Sequence, residues 1–279
     1  MTIDLDAYLA RIGLSRSSVA TPGLATLDAI VWAHLQRVPF ENLDIVLGRP
    51  LRIDEASVVA KLVTDRRGGY CFEHNTLLGG VLRQLGFAVT PLAARVRLGP
   101  GPSPRTHMLL EVQVDDRPHL ADVGFGGQCP TRAIPLEPGV YDTRHGPLRI
   151  ATEAHAMFVL EQANPDGTWQ PLYAFTREPQ HPVDFEVANH FKPTSAASFF
   201  TLAPIAALTT PTGRLTYARG ELIHRAGVTV EVQAITDGDH LLAVLADRFG
   251  LQFPPGTRFR GGPTPPRGED DRAHLGDAR

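Results

Sequence analysis

One of the two cysteines in this chain lies where a thiol can act as a nucleophile. Cys71 belongs to the stretch RGGYCFEHN, just after a pair of glycines and just before a long run of apolar residues with helical spacing. At the start of a helix, unpaired backbone N–H groups and the positive end of the helix dipole favour the thiolate. Most free cysteines are only small buried apolar groups, so it is the position of Cys71 that predicts chemistry.

A nucleophilic cysteine requires a base, and the base requires a group that orients it. The chain has 11 histidines, so residue type alone does not select one. His107 begins a predicted strand and Asp122 lies in the return strand, so a turn near Asp115-Asp116 brings the two roughly opposite each other. We therefore predict a triad of Cys71, His107 and Asp122. The simpler interpretation is that His107 is a hydrogen-bonded strand residue and Asp122 an acid that stabilises a turn.

His74 competes with His107 for the role of base, because it follows Cys71 by one helical turn. A base on the same helix as the nucleophile has little freedom to reach the sulfur. We therefore interpret His74 as a packing or hydrogen-bonding residue. Cys129, the second cysteine, has no partner in the composition and is expected to be inert.

Length and composition restrict the class of protein. With 279 residues, 43% of them apolar, the chain can bury a sizeable core and form two domains with a smaller third element. A net charge of −3 without a basic run predicts binding to neither nucleic acid nor membrane. The sequence shows no signal peptide, no apolar stretch of roughly 18 residues and no disulfide framework, so we expect a cytoplasmic protein. Too few cysteines and no closely spaced histidine pair argue against a metal site.

The spacing of apolar residues changes along the chain and predicts an α+β protein. Helical spacing comes first, and a period close to two follows it. The C-terminal tail is rich in proline and charge, which is typical of disorder. The predicted parts are a helical bundle carrying the nucleophile at 1–86, a β-barrel or strongly curved sheet carrying the histidine and the aspartate at 87–192, short strands with one helix at 193–260, and a disordered tail at 261–279.

Two expectations concern the backbone next to Cys71. Pro39 ends the second predicted helix, so the segment from Phe40 to Leu43 is expected to be a turn or loop. Gly68 and Gly69 are expected to end the third helix and to let the backbone turn sharply before the nucleophile.

Four segments of the chain match one known family. They are RGGYCFEHN around Cys71, VPFENLDI from Val38 to Ile45, ADVGFGGQCP from Ala121 to Pro130, and NHFKPTSAASFF from Asn189 to Phe200. Together they resemble the bacterial arylamine N-acetyltransferases over about residues 5–255. The resemblance implies a helical bundle, a β-barrel and an α/β lid, with a Cys-His-Asp core similar to that of papain-like enzymes and transglutaminases.

The resemblance also implies a reaction. In this family, acetyl-CoA gives its acetyl group to a cysteine thiolate, CoA leaves, and an arylamine or arylhydrazine attacks the thioester in a ping-pong mechanism. Cys71, His107 and Asp122 match the catalytic triad of the family. Acetyl-CoA is then a co-substrate, no tightly bound cofactor or metal is expected, and the biological role is xenobiotic metabolism.

Roles for the pocket residues come from the resemblance alone. Phe40, Phe125 and Phe200 match positions that line the acceptor pocket, and a flat apolar pocket suits an aryl ring. Ordinary core packing is the alternative for each of them. Gly126 and Gly127 match a loop that lets CoA approach the backbone.

Two further pairs of residues are singled out by the resemblance. Arg67 and Glu41 match an ion pair that locks the helix starts around the site, although a solvated surface pair is the simpler interpretation. Lys192 and Pro193 depart from the family, because smaller or apolar residues are expected there. This departure affects the preference for the acceptor.

Other functions use the same residues. An amide synthase, or a transglutaminase-like acyltransferase or hydrolase, would need the same triad. A papain-like protease is disfavoured because only 36 residues separate Cys71 from His107. A non-catalytic binding module is disfavoured by the intact set of Cys71, His107 and Asp122.

Overall fold

The computed structural model of the chain describes residues 3–99, 101, 103–195 and 198–263. In this part the chain forms seven α-helices and 13 β-strands, and the strands make two antiparallel sheets. The predicted α+β class is therefore confirmed. Most of the tail that was predicted to be disordered, from 264 onward, lies outside the described residues.

Short-range signals explain where the N-terminal helices begin and end. The carboxylate of Asp4 accepts a hydrogen bond from the backbone of Ala7, and that of Asp54 accepts one from the backbone of Ser57. Gly13, with a φ of 79°, ends the first helix in the left-handed conformation. The helices are α1 (Leu5–Ile12), α2 (Leu24–Arg37), α3 (Leu43–Val46), α4 (Glu55–Val59), which continues as a π-helical turn over Ala60–Thr64, and α5 (Cys71–Gln84).

The sequence predicted that the glycine pair before Cys71 ends a helix. That prediction was wrong, because the helical segment already stops at Thr64. The pair instead permits close approach. A Cβ atom on Gly68 would lie 2.1 Å from the carbonyl oxygen of Pro39, and one on Gly69 would lie 2.7 Å from Oε2 of Glu73. Only glycine therefore lets this segment pack against the chain that leaves α2 and against the side chain of Glu73 in α5.

The segment after Pro39 is not a loop, and that prediction was wrong. Phe40–Glu41 forms a two-residue strand, β1, which pairs with Ala206–Thr210, β10, in antiparallel register. Phe40 also forms a parallel bridge with Gly69. Pro39 does end the helix, but the extended backbone that follows finds a partner far later in the chain, which a local pattern cannot indicate.

The larger sheet lies opposite α5, the helix that begins at Cys71. Both residues of its first hairpin turn, Asp115 and Asp116, have positive φ values, 49° and 59°, as in a type I′ turn. The order of its strands is β5-β4-β3-β2-β9-β8-β7-β6. They are β2 (Val89–Val96), β3 (Arg105–Val114), β4 (Arg117–Ala121), β5 (Ile134–Pro135), β6 (Gly139–Tyr141), β7 (Leu148–Glu153), β8 (Met157–Ala163) and β9 (Trp169–Phe175).

This sheet curls upon itself. Ile134 belongs to β5 and Leu148 to β7, near opposite ends of the strand order, yet both belong to one buried apolar cluster. The inward residues of the intervening strands, such as Leu109 and Leu160, complete that cluster. The curvature matches the predicted β-barrel and gives the sheet an interior core of its own.

The smaller sheet joins a strand from the N-terminal part of the chain to strands that come much later in the sequence. Its order is β1-β10-β11-β12-β13, so a strand from the N-terminal part lies at its edge. The division of the chain into three domains stays a prediction. The remaining elements are α6 (Pro182–Thr194), β11 (Gly213–Ala218), β12 (Glu221–Ala226), β13 (Thr229–Ala234) and α7 (Gly238–Phe249). No helix in the described ranges combines the length and the apolar character needed to cross a membrane.

Candidate active site

The predicted nucleophile is the first residue of α5. The backbone N–H of Tyr70, the residue before it, donates to Oε2 of Glu73 at 2.9 Å, and this bond fixes the start of the helix. Cys71 is only 2% exposed and lines a cavity of about 620 Å³. Its Sγ lies 3.6 Å from the carbonyl oxygen of Thr106, on β3. The thiol therefore sits between the helix start and the larger sheet.

The predicted base and orienter also come together. Nε2 of His107 lies 2.7 Å from Oδ2 of Asp122, and both side chains are buried. The sequence predicted that the two residues lie roughly opposite each other, and the structure places them on a diagonal. Leu110 pairs with Ala121, the last residue of β4, so Asp122 follows the strand and meets His107 on the diagonal. The length of the imidazole side chain spans that offset.

Asn75 is a site residue that the sequence did not single out. Its Nδ2 donates to Oδ1 of Asp122 at 2.9 Å and to the carbonyl oxygen of Met108 at 2.7 Å. Its Oδ1 accepts a hydrogen bond from the backbone of Val123 at 3.2 Å. The signal was its position in RGGYCFEHN, one helical turn after Cys71 and thus on the same face of α5. Asn75 fastens the segment that carries the aspartate to the helix that carries the thiol.

Lys192, on α6, is the second unexpected site residue. Its Nζ lies 3.2 Å from Sγ of Cys71, and the residue is only 5% exposed. The hydroxyl of Tyr70 donates to Oδ1 of Asn189, one turn earlier on α6, which fixes this helix beside the start of α5. The sequence had indicated only that Lys192 departs from the small or apolar residue expected there.

The charges of the site act on each other. Burial by itself raises the pKa of the Cys71 thiol, but the charge of Lys192 and the hydrogen bond and charge of His107 lower it from 9.0 to about 7. Burial lowers the pKa of His107, but the charge and hydrogen bond of Asp122 raise it to about 9. Burial raises the pKa of Asp122, yet the charge of His107 holds it below its ordinary value. The arrangement favours a thiolate beside an imidazolium at neutral pH.

His74 has the hydrogen-bonding role that its position on α5 predicted. Its Nδ1 lies 2.9 Å from Nε2 of His34, and its Nε2 lies 3.1 Å from the carbonyl oxygen of Gly69 and 3.2 Å from that of Pro39. Burial lowers its pKa to about 4, so the ring is neutral at pH 7. It joins α2, β1 and the glycine pair behind the site.

Arg67 and Glu41 belong to a larger ion network. Nη2 of Arg67 lies 2.7 Å from Oε1 of Glu41 and 3.1 Å from Oδ1 of Asp44. Nζ of Lys61 lies 2.7 Å from Asp44 and 2.7 Å from Glu73. The Arg67 side chain is 12% exposed and that of Glu41 is fully buried, so this is not a solvated surface pair. The sequence alone did not indicate Asp44, Lys61 or Glu73, because their partners lie on other elements.

The residues predicted to line the pocket all border the cavity beside Cys71. The rings of Phe40 and Phe200 are 6.2 Å apart, and that of Phe125 lies 4.9 Å from the His107 ring. Gly126, with a φ of 68°, and Gly127 form a turn at the edge of the cavity, where a Cβ atom on Gly127 would lie 3.1 Å from Cδ of Arg214.

The other cysteine differs from Cys71 in its surroundings. Sγ of Cys129 accepts a hydrogen bond from the backbone of Phe125 at 3.0 Å. Burial, together with the charge of Asp122, raises the pKa of this thiol well above its ordinary value. The neutral thiol is therefore favoured, in agreement with an inert role.

Comparison with known proteins places the chain in a family. The model of the N-acetyltransferase family matches residues 23–257. The arylamine N-acetyltransferase of Mycolicibacterium smegmatis is 42% identical, with 91% of this chain and 94% of that relative covered. The chain belongs to the arylamine N-acetyltransferase family. The enzyme of this name from Escherichia coli K12 is 38% identical, with 90% of each chain covered.

Solved structures of arylamine N-acetyltransferases have the same fold. The structure of the M. smegmatis enzyme has a TM-score of 0.85 at 39% identity, and covers 90% of this chain and 93% of its own. That of the Mycobacterium marinum arylamine N-acetyltransferase in complex with CoA has a TM-score of 0.82 at 35% identity, and covers 88% and 92%. The resemblance inferred from the sequence motifs is confirmed, and the protein is an acyltransferase of this family.

Proposed function

We propose that this enzyme transfers an acetyl group from acetyl-CoA to a small aromatic amine or hydrazine, by a ping-pong mechanism through an acetyl-Cys71 thioester. The observation that carries the proposal is the thiol of Cys71, which begins α5, opens into an apolar cavity and has a pKa lowered to about 7. The His107–Asp122 pair beside it supplies a base with a fixed orientation.

In the first half-reaction, Sγ of Cys71 attacks the carbonyl carbon of acetyl-CoA. The bond from that carbon to the sulfur of CoA breaks, and CoA leaves as the thiol with a proton from the His107 imidazolium. One thioester replaces another of similar energy, so the step needs little driving force. Asp122 stabilises the charge of His107 before the proton is transferred.

In the second half-reaction, the amine nitrogen attacks the carbonyl carbon of the thioester on Cys71. The sulfur leaves as the thiolate, and His107 accepts the proton that the nitrogen releases. An aromatic amine is a weak base and is largely neutral at pH 7, so it needs no prior deprotonation. Backbone N–H groups at the start of α5 are available to the tetrahedral oxyanion, where one such donor is worth about 3 kcal/mol in other enzymes.

The cavity supports these substrates. Its aromatic wall of Phe40, Phe125 and Phe200 suits an aryl ring, and the turn at Gly126 and Gly127 lets an acyl carrier approach the backbone. The complex of the M. marinum relative with CoA supports CoA as the carrier. We also propose that Arg67 and Glu41 have a structural role, because their buried ion pair joins the segment before Cys71 to β1.

The test is an intact-mass measurement on reduced enzyme mixed with acetyl-CoA and no amine. We expect a single acetyl adduct, which peptide mapping places on Cys71, together with released CoA. The Cys71→Ala variant should fold and form no adduct, whereas Cys129→Ala should still form it. If folded, reduced enzyme acquires no acetyl group, the proposed mechanism is wrong.

A further inference from the structure

Lys192 is a buried cation whose nearest polar partner is the nucleophile. Its Nζ lies 3.2 Å from Sγ of Cys71, and it stands over the rings of Tyr70, Phe72 and Phe200 at 4.7, 5.1 and 4.5 Å. Within the described residues, no carboxylate lies within 4.0 Å of it. The faces of aromatic rings stabilise a cation in part, but a buried ammonium still favours an anionic partner.

The thiolate of Cys71 supplies that partner only in the free enzyme. Acylation converts Sγ into a neutral thioester sulfur, while Lys192 stays beside it. No aspartate or glutamate is among the described residues that line the cavity. The acyl-enzyme therefore leaves one buried ammonium facing an apolar cavity, next to the newly attached acyl group.

We propose that Lys192 extends the acyl donors of this enzyme beyond acetyl-CoA to donors that end in a carboxylate, with the malonyl group of malonyl-CoA as the representative substrate. The inference rests on the proposed acylation of Cys71. In a malonyl thioester the carboxylate follows the thioester carbonyl by a single methylene, so it stays within reach of an ammonium that contacts the sulfur. An ion pair with Lys192 then replaces the one that acylation removed.

The carboxylate belongs to the acyl donor rather than to the amine. An aromatic acceptor attacks the thioester carbon with its nitrogen, and a carboxylate across the ring from that nitrogen points away from the sulfur. Lys192 contacts the sulfur itself, so it cannot also reach the far side of the ring. The distance therefore favours a group near the scissile bond.

The chemistry is unchanged from that of acetyl transfer. The bond between Sγ of Cys71 and the malonyl carbonyl carbon forms, and the bond from that carbon to the CoA sulfur breaks. CoA leaves as the thiol with the proton of His107. The distal carboxylate is neither formed nor consumed, and Lys192 takes no part in the transfer of the proton.

The experiment is a competition between malonyl-CoA and acetyl-CoA for Cys71, read by intact mass at early times. The ratio of the two acylation rates is measured for the wild type, for Lys192→Met, which removes the charge at similar length, and for Lys192→Arg, which keeps it. We expect the malonyl-to-acetyl ratio to fall about 10- to 100-fold in Lys192→Met. Lys192→Arg should retain most of the preference.

A purely structural role of Lys192 would change both acylation rates alike and would leave the malonyl-to-acetyl ratio unchanged. If Lys192→Met slows both donors equally, Lys192 serves only the thiolate, and the inference is overturned while acetyl transfer stands. If Lys192→Met fails to fold, the Lys192→Arg ratio decides, because a loss of preference there contradicts the proposal. If neither donor acylates the wild type, the proposed function itself fails and this inference falls with it.

Discussion

Cys71 has a lowered pKa although its burial acts in the opposite direction. Two cations lower this pKa by more than burial raises it. They are Lys192, which donates to the sulfur, and His107, whose charge Asp122 stabilises. The sequence singled out His107 because a hairpin places it near an acid. It could not single out Lys192 as a partner of the thiol, because α6 meets α5 only through tertiary packing.

The reactivity of Cys71 should depend on pH in a defined direction. Its pKa is lowered to about 7, so the rate of alkylation by iodoacetamide should rise with pH and reach half its maximum near 7 rather than near 9. The pKa of His107 is raised to about 9, so the imidazolium partner persists through that rise. The measurement is the alkylation rate as a function of pH. It is made on the Cys129→Ala variant, in which Cys71 is the remaining cysteine.

Variants identify the base in the same experiment. In His107→Ala the thiol loses one of its cationic neighbours, so the midpoint should shift to higher pH. His74→Ala should leave the midpoint near its wild-type position, because His74 is neutral at that pH. The opposite result, a shift in His74→Ala and none in His107→Ala, would show that the base has been assigned incorrectly.

At the scale of elements, a buried ion network holds the start of α5 against β1. Arg67 contacts Glu41 and Asp44, while Lys61 links Asp44 to Glu73, whose other oxygen caps α5. The sequence indicated one pair in this network. The others were not predictable, because α3 and the π-helical turn are short elements whose relative placement depends on packing.

Removal of Arg67 should destabilise the enzyme strongly. In Arg67→Ala, the buried carboxylates of Glu41 and Asp44 lose a partner, and loss of one member of a buried pair typically costs about 3–5 kcal/mol. The free energy of unfolding in urea measures this. Arg16→Ala is the matched control, because Arg16 pairs with Asp6 at the surface and its loss should have little effect. Equal stability of the two variants would mean that the network is not needed for the fold.

At the scale of the whole molecule, Asn42 connects the N-terminal part of the chain to residues 200–205. Its Nδ2 donates to the carbonyl oxygens of Phe200 and Ala203 at 2.8 and 2.9 Å, and its Oδ1 accepts from the backbone of Ile205 at 2.7 Å. These bonds adjoin the pairing of β1 with β10. They also fix the position of Phe200 in the wall of the cavity.

Asn42→Ala should therefore affect both stability and substrate binding. Three backbone groups lose their hydrogen-bond partner. Each group that stays buried and unsatisfied lowers the free energy of unfolding by about 1–3 kcal/mol. Phe200 should become less well positioned, so KM for an arylamine should rise more than kcat falls. Thermal unfolding and steady-state kinetics measure the two effects. Asn164→Ala, in an exposed turn, is the control and should change neither the thermal stability nor KM. An unchanged KM in Asn42→Ala would show that Phe200 is held by other contacts.

The sequence by itself determined the features that depend on neighbouring residues. The helix start at Cys71, the hairpin turn at Asp115-Asp116 and the change from helical to alternating spacing are local consequences of side-chain type and backbone preference. For the same reason the sequence indicated His107 and Asp122 as partners, since a hairpin brings them together without help from other elements. The family motifs added the roles expected of these residues.

Only the tertiary structure decided which distant residues meet. Strand β1 looked like a loop because its partner, β10, follows it after most of the chain. Asn75, Asp44 and Lys192 gained their contacts from elements that pack across the core, and no periodicity records such packing. The charge beside the nucleophile therefore depends on how α6 docks against α5, which is a property of the folded chain and not of any one segment.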